Sequence, residues 1–192
     1  DNFFGSSDWA EMLEELQETG KPFIFKQGLD ERLLTDGKCK ALFASKYDGD
    51  YIFAFDNVAD AALIESKIQL ARQYTNAVMK FYCFTGFDRS DKWDDDFWKQ
   101  DIFDLLFRIE ILMRNRCMPY VMRFNRYEES PYRGMYITIA RWCNQPSFYK
   151  KKSLREFGLL NAEGSACRRY LSDFEEKFPE VAYFYDLKFE KE

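Results

Sequence analysis

The fold is decided by residues 51–84, which read YIFAFDNVADAALIESKIQLARQYTNAVMKFYCF. Residues 51–55 form a continuous apolar run of the kind seen in a strand that is covered on both faces. Between about residues 60 and 74 apolar side chains recur at helical spacing, and residues 78–84 form a second strand-like run. A strand, a helix and a strand of these lengths predict a βαβ unit, and such units build a parallel sheet.

The same alternation continues on both sides of this unit. Upstream, the chain predicts an amphipathic helix that begins near residue 9, a short strand at 22–28 and a helix at 35–45. Downstream, it predicts a long helix carrying apolar residues 102–113 and a strand at 119–124. The sequence therefore predicts an α/β protein with a parallel sheet.

The last third of the chain predicts helices only. Residues 134–144 and about 163–178 carry apolar stripes at helical spacing. Ser153 and Glu156 have the spacing of a capping box, in which each side chain accepts a hydrogen bond from the other residue's backbone. We expect these helices to pack outside the sheet.

Composition excludes several classes of protein. Of the 192 residues, 46% are hydrophobic and 32% are charged, which is typical of a globular domain rather than a disordered chain. The net charge of −5 argues against broad binding to nucleic acid or anionic membranes. No apolar run approaches the length of a membrane span, and no signal peptide opens the chain. The absence of histidine removes Ser-His-Asp and Cys-His catalysis and His-ligated zinc.

The cysteines indicate a reducing compartment. The chain contains five, at positions 39, 83, 117, 143 and 167, and no two have the close spacing of a zinc ribbon or a redox dithiol. Scattered cysteines of odd number, without a secretion signal, predict reduced thiols and a cytoplasmic protein.

Polar side chains follow the predicted strands. In parallel α/β folds ligands bind at the carboxyl ends of the strands. The polar residues found there include Lys26, Gln27, Asp56, Thr85, Gly86 and Arg123. Asp, Asn and Gly also end strands because they suit turns, but Lys, Gln and Arg have no such preference. We therefore predict a polar ligand site at this edge of the sheet, with Lys26 and Arg123 as substrate-binding residues.

Three other clusters have simpler interpretations. The acidic run 93–98 has the composition of a divalent-cation site, but carboxylates are also favourable at the start of a helix. The basic residues 150–152, near Arg155, suit either a phosphate or a solvated loop. Arginines and aromatic residues interleave over 123–142, a pattern that can clamp nucleic acid, although the acidic net charge argues against that partner.

Residues 25–35, FKQGLDERLLT, resemble the QGLD-x-RLLT segment of a group of radical S-adenosylmethionine proteins from anaerobic bacteria and their phages. Weaker similarities to the same family lie at the opening DNFF, at FAFDN (53–57), at FTGF (84–87), at PYVMRFN (119–125) and at ARWCNQP (140–146). Together they extend over nearly the whole chain, and residues 25–35 are the most specific part.

The resemblance implies a partial parallel (βα)₆ barrel of the radical S-adenosylmethionine type in residues 1–125, with a helical extension in residues 126–192 packed on the barrel. In this family a [4Fe–4S] cluster cleaves S-adenosylmethionine to a 5′-deoxyadenosyl radical, which abstracts hydrogen from a substrate. The family's Cys-x-x-x-Cys-x-x-Cys motif and its glycine-rich motif are not found in this sequence. The opening DNFFG is interpreted as the end of the third barrel strand, so we expect the chain to be a piece of a longer protein whose missing half carries the cluster ligands.

The resemblance also assigns cofactor-binding residues. Gln27 and Asp56 match the ends of the fourth and fifth strands, where polar side chains meet the ribose and methionyl groups of S-adenosylmethionine. Thr85 and Gly86 match the turn whose backbone lies against adenine. No catalytic residue and no metal ligand is predicted in this chain, and the substrate is unknown. The alternatives are a non-catalytic ligand-binding or scaffold module of the same fold, and an RNA-modifying protein.

Overall fold

The computed structural model describes residues 2–189 and shows an α/β fold with a small parallel sheet and many helices. The strands are β1 (Tyr51–Ala54), β2 (Met79–Thr85) and β3 (Met118–Arg123). The helices are α1 (Trp9–Glu18), α2 (Asp36–Phe43), α3 (Ala61–Arg72), α4 (Asp95–Arg114), α5 (Arg133–Cys143), α6 (Pro146–Tyr149), α7 (Leu154–Leu159), α8 (Ala166–Lys177) and α9 (Ala182–Tyr185). Short 3₁₀ helices span Phe3–Gly5, Glu31–Leu33, Val58–Asp60, Asn125–Glu129 and Pro179–Val181.

The sheet confirms the predicted βαβ pattern. Its strand order is β1-β2-β3, and β1 pairs in parallel with β2, with Tyr51 opposite Met79 and Ala54 opposite Tyr82. Helix α3 connects β1 to β2, and α4 connects β2 to β3. Three of the four β1 residues are buried, as the continuous apolar run predicts.

The chain divides into two compact units between Tyr82 and Cys83, within β2. This division is based on compactness. The predicted boundary between residues 125 and 126 instead separates a barrel from its helical extension, and it stays a prediction.

In the first unit, the helices form where their caps and apolar stripes predict. The Thr35 hydroxyl accepts a hydrogen bond from the backbone N–H of Lys38 and so begins α2. Helix α3 buries Ile64, Ile68 and Ala71, which are three residues of the predicted stripe. Helices α2 and α3 pack together, and α3 also packs against the 3₁₀ helix Glu31–Leu33.

The predicted strand at residues 22–28 is wrong. Only isolated parallel bridges form, between Phe23 and Tyr47 and between Leu29 and Phe53. The Phe25 N–H donates to the hydroxyl of the Tyr47 side chain, 3.0 Å away, instead of to a backbone carbonyl, so no continuous ladder develops. The segment then turns through Gly28, whose φ is +83°.

The strand end predicted at the opening is also wrong for the residues that the structure describes. The Asn2 side chain accepts a hydrogen bond from the Phe4 N–H and begins the 3₁₀ helix Phe3–Gly5. An asparagine that bonds a backbone two residues further on favours a turn over a ladder. Asp1 lies outside the described residues.

In the second unit, the helices pack around β3 and on one another. Helix α5 contacts β3 and α8, and α7 contacts α8 and α9. The predicted capping box is confirmed, because Ser153 accepts from the Glu156 N–H and Glu156 accepts from the Ser153 N–H. Within residues 2–189, the helices lack the combination of length and apolar character needed to cross a bilayer.

Candidate functional site

A cleft of about 240 Å³ in the first unit contains two of the predicted site residues. Its lining consists of Phe3, Ile24, Phe25, Lys26, Gln27, Gly28 and Leu29. The cleft-forming segment is fixed at both ends, by the Phe23 N–H donating to the Lys46 carbonyl at 3.1 Å and the Leu29 N–H donating to the Ile52 carbonyl at 2.7 Å. Residues 24–28 therefore form a supported loop beside β1.

Backbone conformation explains why glycine occupies position 28. A Cβ here would lie at ordinary contact distance from β1, 3.6 Å from the Ile52 carbonyl oxygen and 3.7 Å from that of Phe53. The left-handed φ of +83°, however, is a conformation that residues with a Cβ rarely adopt. The glycine thus has a role in the fold that is independent of any ligand.

Lys26 and Gln27 offer polar groups to this cleft. Both are exposed, and neither side chain is hydrogen-bonded or ion-paired to another residue in the part of the chain that the structure describes. The Lys26 backbone carbonyl accepts from the Tyr82 hydroxyl at 3.4 Å. The two side chains can therefore bind a ligand without giving up a contact within the protein.

Two acidic residues follow the cleft in sequence and differ in their surroundings. Asp30 is paired with Arg32, which holds the pKa of that carboxyl below its usual range. Glu31 is only 2% exposed, and burial raises its pKa to about 7, while one of its oxygens accepts from the Ala54 N–H at the end of β1. Sequence reasoning did not find Glu31, because a glutamate between an aspartate and an arginine is typical of an exposed turn.

Asp56 lies at the end of β1, as predicted, but does not line the cleft that contains Lys26 and Gln27. It is exposed and follows the fully buried Phe55. The next residue, Asn57, accepts a hydrogen bond from the Ala59 N–H and begins a 3₁₀ helix, a role typical of asparagine in turns.

In the second unit, Thr85 and Gly86 share one acceptor at the end of β2. A single carboxylate oxygen of Asp101 accepts from the Thr85 hydroxyl at 2.7 Å, the Gly86 N–H at 2.8 Å and the Tyr136 hydroxyl at 2.7 Å. Thr85 and Tyr136 are buried, and burial together with the Asp101 charge raises the pKa of Tyr136 well above its usual range.

Arg123 lies close to this network. A Cβ on Gly86 would lie 3.3 Å from the Cβ of Tyr127, and the Arg123 guanidinium stands 4.5 Å from the centre of the Tyr127 ring. The second unit therefore brings Gly86, Tyr127 and Arg123 together, with Arg123 exposed.

Arg126 and Tyr136 of this region are engaged within the fold. Arg126 stands 5.0 Å from the centre of the Trp93 ring and pairs with Asp91 at 2.9 Å. Tyr136 is fully buried. These contacts cover aromatic faces that an RNA base would need for stacking.

The acidic run follows its simpler interpretation. Asp94 accepts from the Phe97 N–H and caps α4, with Asp95 and Asp96 in the first turn. Arg155, near the basic residues, is bound by Glu175 and Asp186. Among residues 2–189 there is no group of three or more His, Cys, Asp or Glu placed to hold a metal ion.

Comparison of the chain with protein-family models, with curated proteins and with solved structures gives no match.

Proposed function

We propose that this chain is part of a radical S-adenosylmethionine enzyme of the cytoplasm, with the fold of a partial (βα) barrel and a helical extension. The observation that carries the proposal is the cleft at residues 24–29, in which Lys26 and Gln27 present unpaired polar side chains. These residues belong to the segment with the most specific resemblance to the family. The parallel α/β sheet is compatible with this fold.

The cleft suits one part of S-adenosylmethionine rather than the whole molecule. Its volume of about 240 Å³ is below the ~300 Å³ at which sites for complete small-molecule ligands begin. The Gln27 amide has both donors and an acceptor, which is what a ribose diol requires. Phe3 and Phe25, whose ring centres are 4.4 Å apart, supply an apolar wall.

The residues of this chain do not fit a [4Fe–4S] cluster. Such clusters are held by several cysteine thiolates that converge on one site. All five cysteines here are buried, and the described residues hold no metal-ligating group of three. In this proposal the cluster ligands therefore lie outside this chain.

When bound, S-adenosylmethionine would supply the 5′-deoxyadenosyl radical that takes hydrogen from a substrate, and the electron for its cleavage would come from the [4Fe–4S] cluster that this proposal places outside this chain. The residues of the first unit bind and orient S-adenosylmethionine: Gln27 and Asp56 hold polar groups of the ribose and methionyl parts, and Lys26 binds the substrate. The Asp101 carboxylate keeps the turn at Thr85 and Gly86 in one conformation through its hydrogen bonds.

The test is calorimetric titration of the chain with S-adenosylmethionine. We expect Gln27→Ala to weaken binding about five- to a hundredfold, because the loss of a good hydrogen bond costs about 1–3 kcal/mol. Gln69→Ala, which changes an exposed glutamine of α3 in the same unit, is the matched control and should bind like the parent chain.

Unchanged affinity in Gln27→Ala would remove this residue from the site, and no binding by the parent chain would overturn the proposal for the cleft. A non-catalytic module of the same fold would use the cleft without preferring S-adenosylmethionine. Titration with adenosine and with methionine separately distinguishes the two, since the proposal requires the joined molecule to bind more tightly than either part.

A further inference from the structure

A second cavity, of about 330 Å³, opens between α7, α8 and α9, and the second unit forms it entirely. Its volume lies within the range of about 300–1,000 Å³ that is typical of small-molecule sites. It shares no residue with the strand-end positions discussed above. The cavity walls include Gly158 and Leu159 of α7, Leu171 and Ser172 of α8, and Tyr185 of α9.

The inner wall of this cavity is apolar and closely packed. Leu171 and Tyr185 are buried, and the Tyr185 hydroxyl donates to the Leu171 carbonyl at 3.2 Å, so the phenol's polar atom is satisfied within the fold. A Cβ on Gly158 would lie 2.4 Å from a methyl carbon of Leu171, which shows how closely α7 approaches α8. At the mouth, Leu159 is 57% exposed. This wall suits the hydrocarbon part of a small ligand.

The charges around the cavity leave one side chain without a complete set of partners. Arg155 donates two hydrogen bonds of 2.8 Å to Glu175, so this acid and this base satisfy each other. Glu163 and Arg169 are exposed residues of the lining, whereas Arg168 is partly buried. Arg168 is therefore the cation that the fold holds against the wall of the cavity.

Arg168 is held in place but is not fully satisfied. One terminal nitrogen donates to the Leu159 carbonyl at 2.8 Å. Its Nε is buried without a hydrogen-bond partner in the part of the chain that the structure describes, and it is too enclosed for a ligand in the cavity to reach. The second terminal nitrogen has no hydrogen bond within the described residues, so it is the group of this cavity-lining side chain that is left for a ligand. A carboxylate matches a guanidinium best, because the hydrogen bond between them is charge-assisted.

We propose that this cavity binds a small amphipathic carboxylate. The carboxylate pairs with the free terminal nitrogen of Arg168, and the hydrocarbon chain lies against Leu159 and Leu171. The proposal is independent of the site at residues 24–29, so neither stands or falls with the other.

The experiment uses octanoate as the probe and octanamide as its neutral counterpart, with binding measured by calorimetry and by ligand-observed NMR. We expect octanoate to bind saturably and octanamide to bind at least tenfold more weakly, because a neutral amide cannot form a charge-assisted pair with arginine. Equal binding of the two, or no binding of octanoate, would overturn the proposal.

Two variants locate the site. Arg168→Met keeps much of the aliphatic stem and removes the charge, so octanoate should bind at least tenfold more weakly to it. Arg141→Met, which changes an exposed arginine of α5 in the same unit, is the matched control and should bind octanoate normally. Ser172→Trp places a large ring in the cavity from its exposed rim and should abolish binding.

The variants separate the two parts of the proposal. Binding that survives Ser172→Trp would show that octanoate binds elsewhere. Binding that is lost in Ser172→Trp but unchanged in Arg168→Met would overturn the carboxylate assignment. Arg168→Met also loses the hydrogen bond to Leu159, so its melting curve is compared with that of the parent. If it does not fold, the preference for octanoate and the Ser172→Trp result decide the question.

Discussion

Glu31 shows how a single buried carboxyl can control stability. The residue is 2% exposed, and burial raises its pKa from 4.5 to about 7 against the opposing effect of hydrogen bonds from backbone N–H groups. The folded state therefore favours the neutral acid, whereas the unfolded chain ionises near pH 4.5. The contribution of Glu31 is fully present below about pH 4.5 and is lost as the pH rises towards about 7.

We expect Glu31→Gln to remove this pH dependence. Its free energy of unfolding should be similar to that of the parent near pH 4.5 and higher at pH 8 by up to ~3 kcal/mol, since one pKa unit corresponds to about 1.4 kcal/mol. Urea unfolding at the two pH values measures the difference. Glu15→Gln, at an exposed position of α1, is the control. If Glu31→Gln and Glu15→Gln change the free energy of unfolding by the same amount at both pH values, the assignment to Glu31 is wrong.

The Asp101 network makes a second prediction about single side chains. Tyr136→Phe removes one of the three donors to the Asp101 oxygen and should lower the free energy of unfolding by about 1–3 kcal/mol. Tyr170→Phe is the matched control, because this hydroxyl in the same unit has no hydrogen bond within the described residues. Equal unfolding curves for the two variants would show that the Tyr136 hydroxyl contributes nothing.

The sequence located Thr85, Gly86, Lys26 and Gln27 because each follows an apolar run, and this signal is local. It could not find Glu31 or Asp101, because their roles depend on partners that are distant in the chain. Glu31 meets Ala54, and Asp101 meets Tyr136 thirty-five residues later. The spacing of residues along the sequence does not indicate such contacts.

Helices and strands with strong periodicity were predictable, and those that depend on tertiary pairing were not. The stripe of α3 and the capping box of α7 are encoded by neighbouring residues. The apolar run at 22–28 has a strand's composition, but the Tyr47 hydroxyl takes the N–H of Phe25 that a ladder would use. Tertiary contacts decide this segment, as they commonly do for short strands.

Asn144 supports β3 in a way that its position after α5 does not reveal. Its side-chain oxygen accepts from the Val121 N–H at 2.7 Å, and its amide nitrogen donates to the Val121 carbonyl at 3.1 Å. The side chain thereby satisfies both backbone groups of a strand residue that is only 3% exposed.

We therefore expect Asn144→Ala to lower the free energy of unfolding by about 2–4 kcal/mol, because two buried backbone groups lose their partner. Urea unfolding checks the value. Gln145→Ala changes an exposed amide at the next position, whose side chain does not cap α6, and should leave the stability nearly unchanged. If the two variants lose similar amounts of stability, the loss arises at the end of α5 and not from the contact between Asn144 and Val121.

The five cysteine thiols of the folded chain are shielded from solvent. All five cysteines are buried and reduced, with Cys167 the most exposed at 6%. Burial raises the pKa of Cys39 to about 11 and raises that of Cys143 well above its usual range. The thiolate is the form of cysteine that acts as a nucleophile and as a metal ligand, so Cys39 and Cys143 are poorly suited to either role in the folded state.

We expect a thiol reagent at pH 8 to modify less than one cysteine per folded chain rapidly, and all five in guanidinium chloride. The absorbance of the released chromophore measures this number. A rapidly modified thiol would contradict the burial of that cysteine.

We also expect anaerobic incubation with iron and sulfide to give no stoichiometric cluster, because assembling one would require several buried thiols to ionise and converge. The iron content per chain measures this outcome. A stoichiometric [4Fe–4S] species would overturn the placement of the cluster ligands outside this chain, even if S-adenosylmethionine binds at residues 24–29.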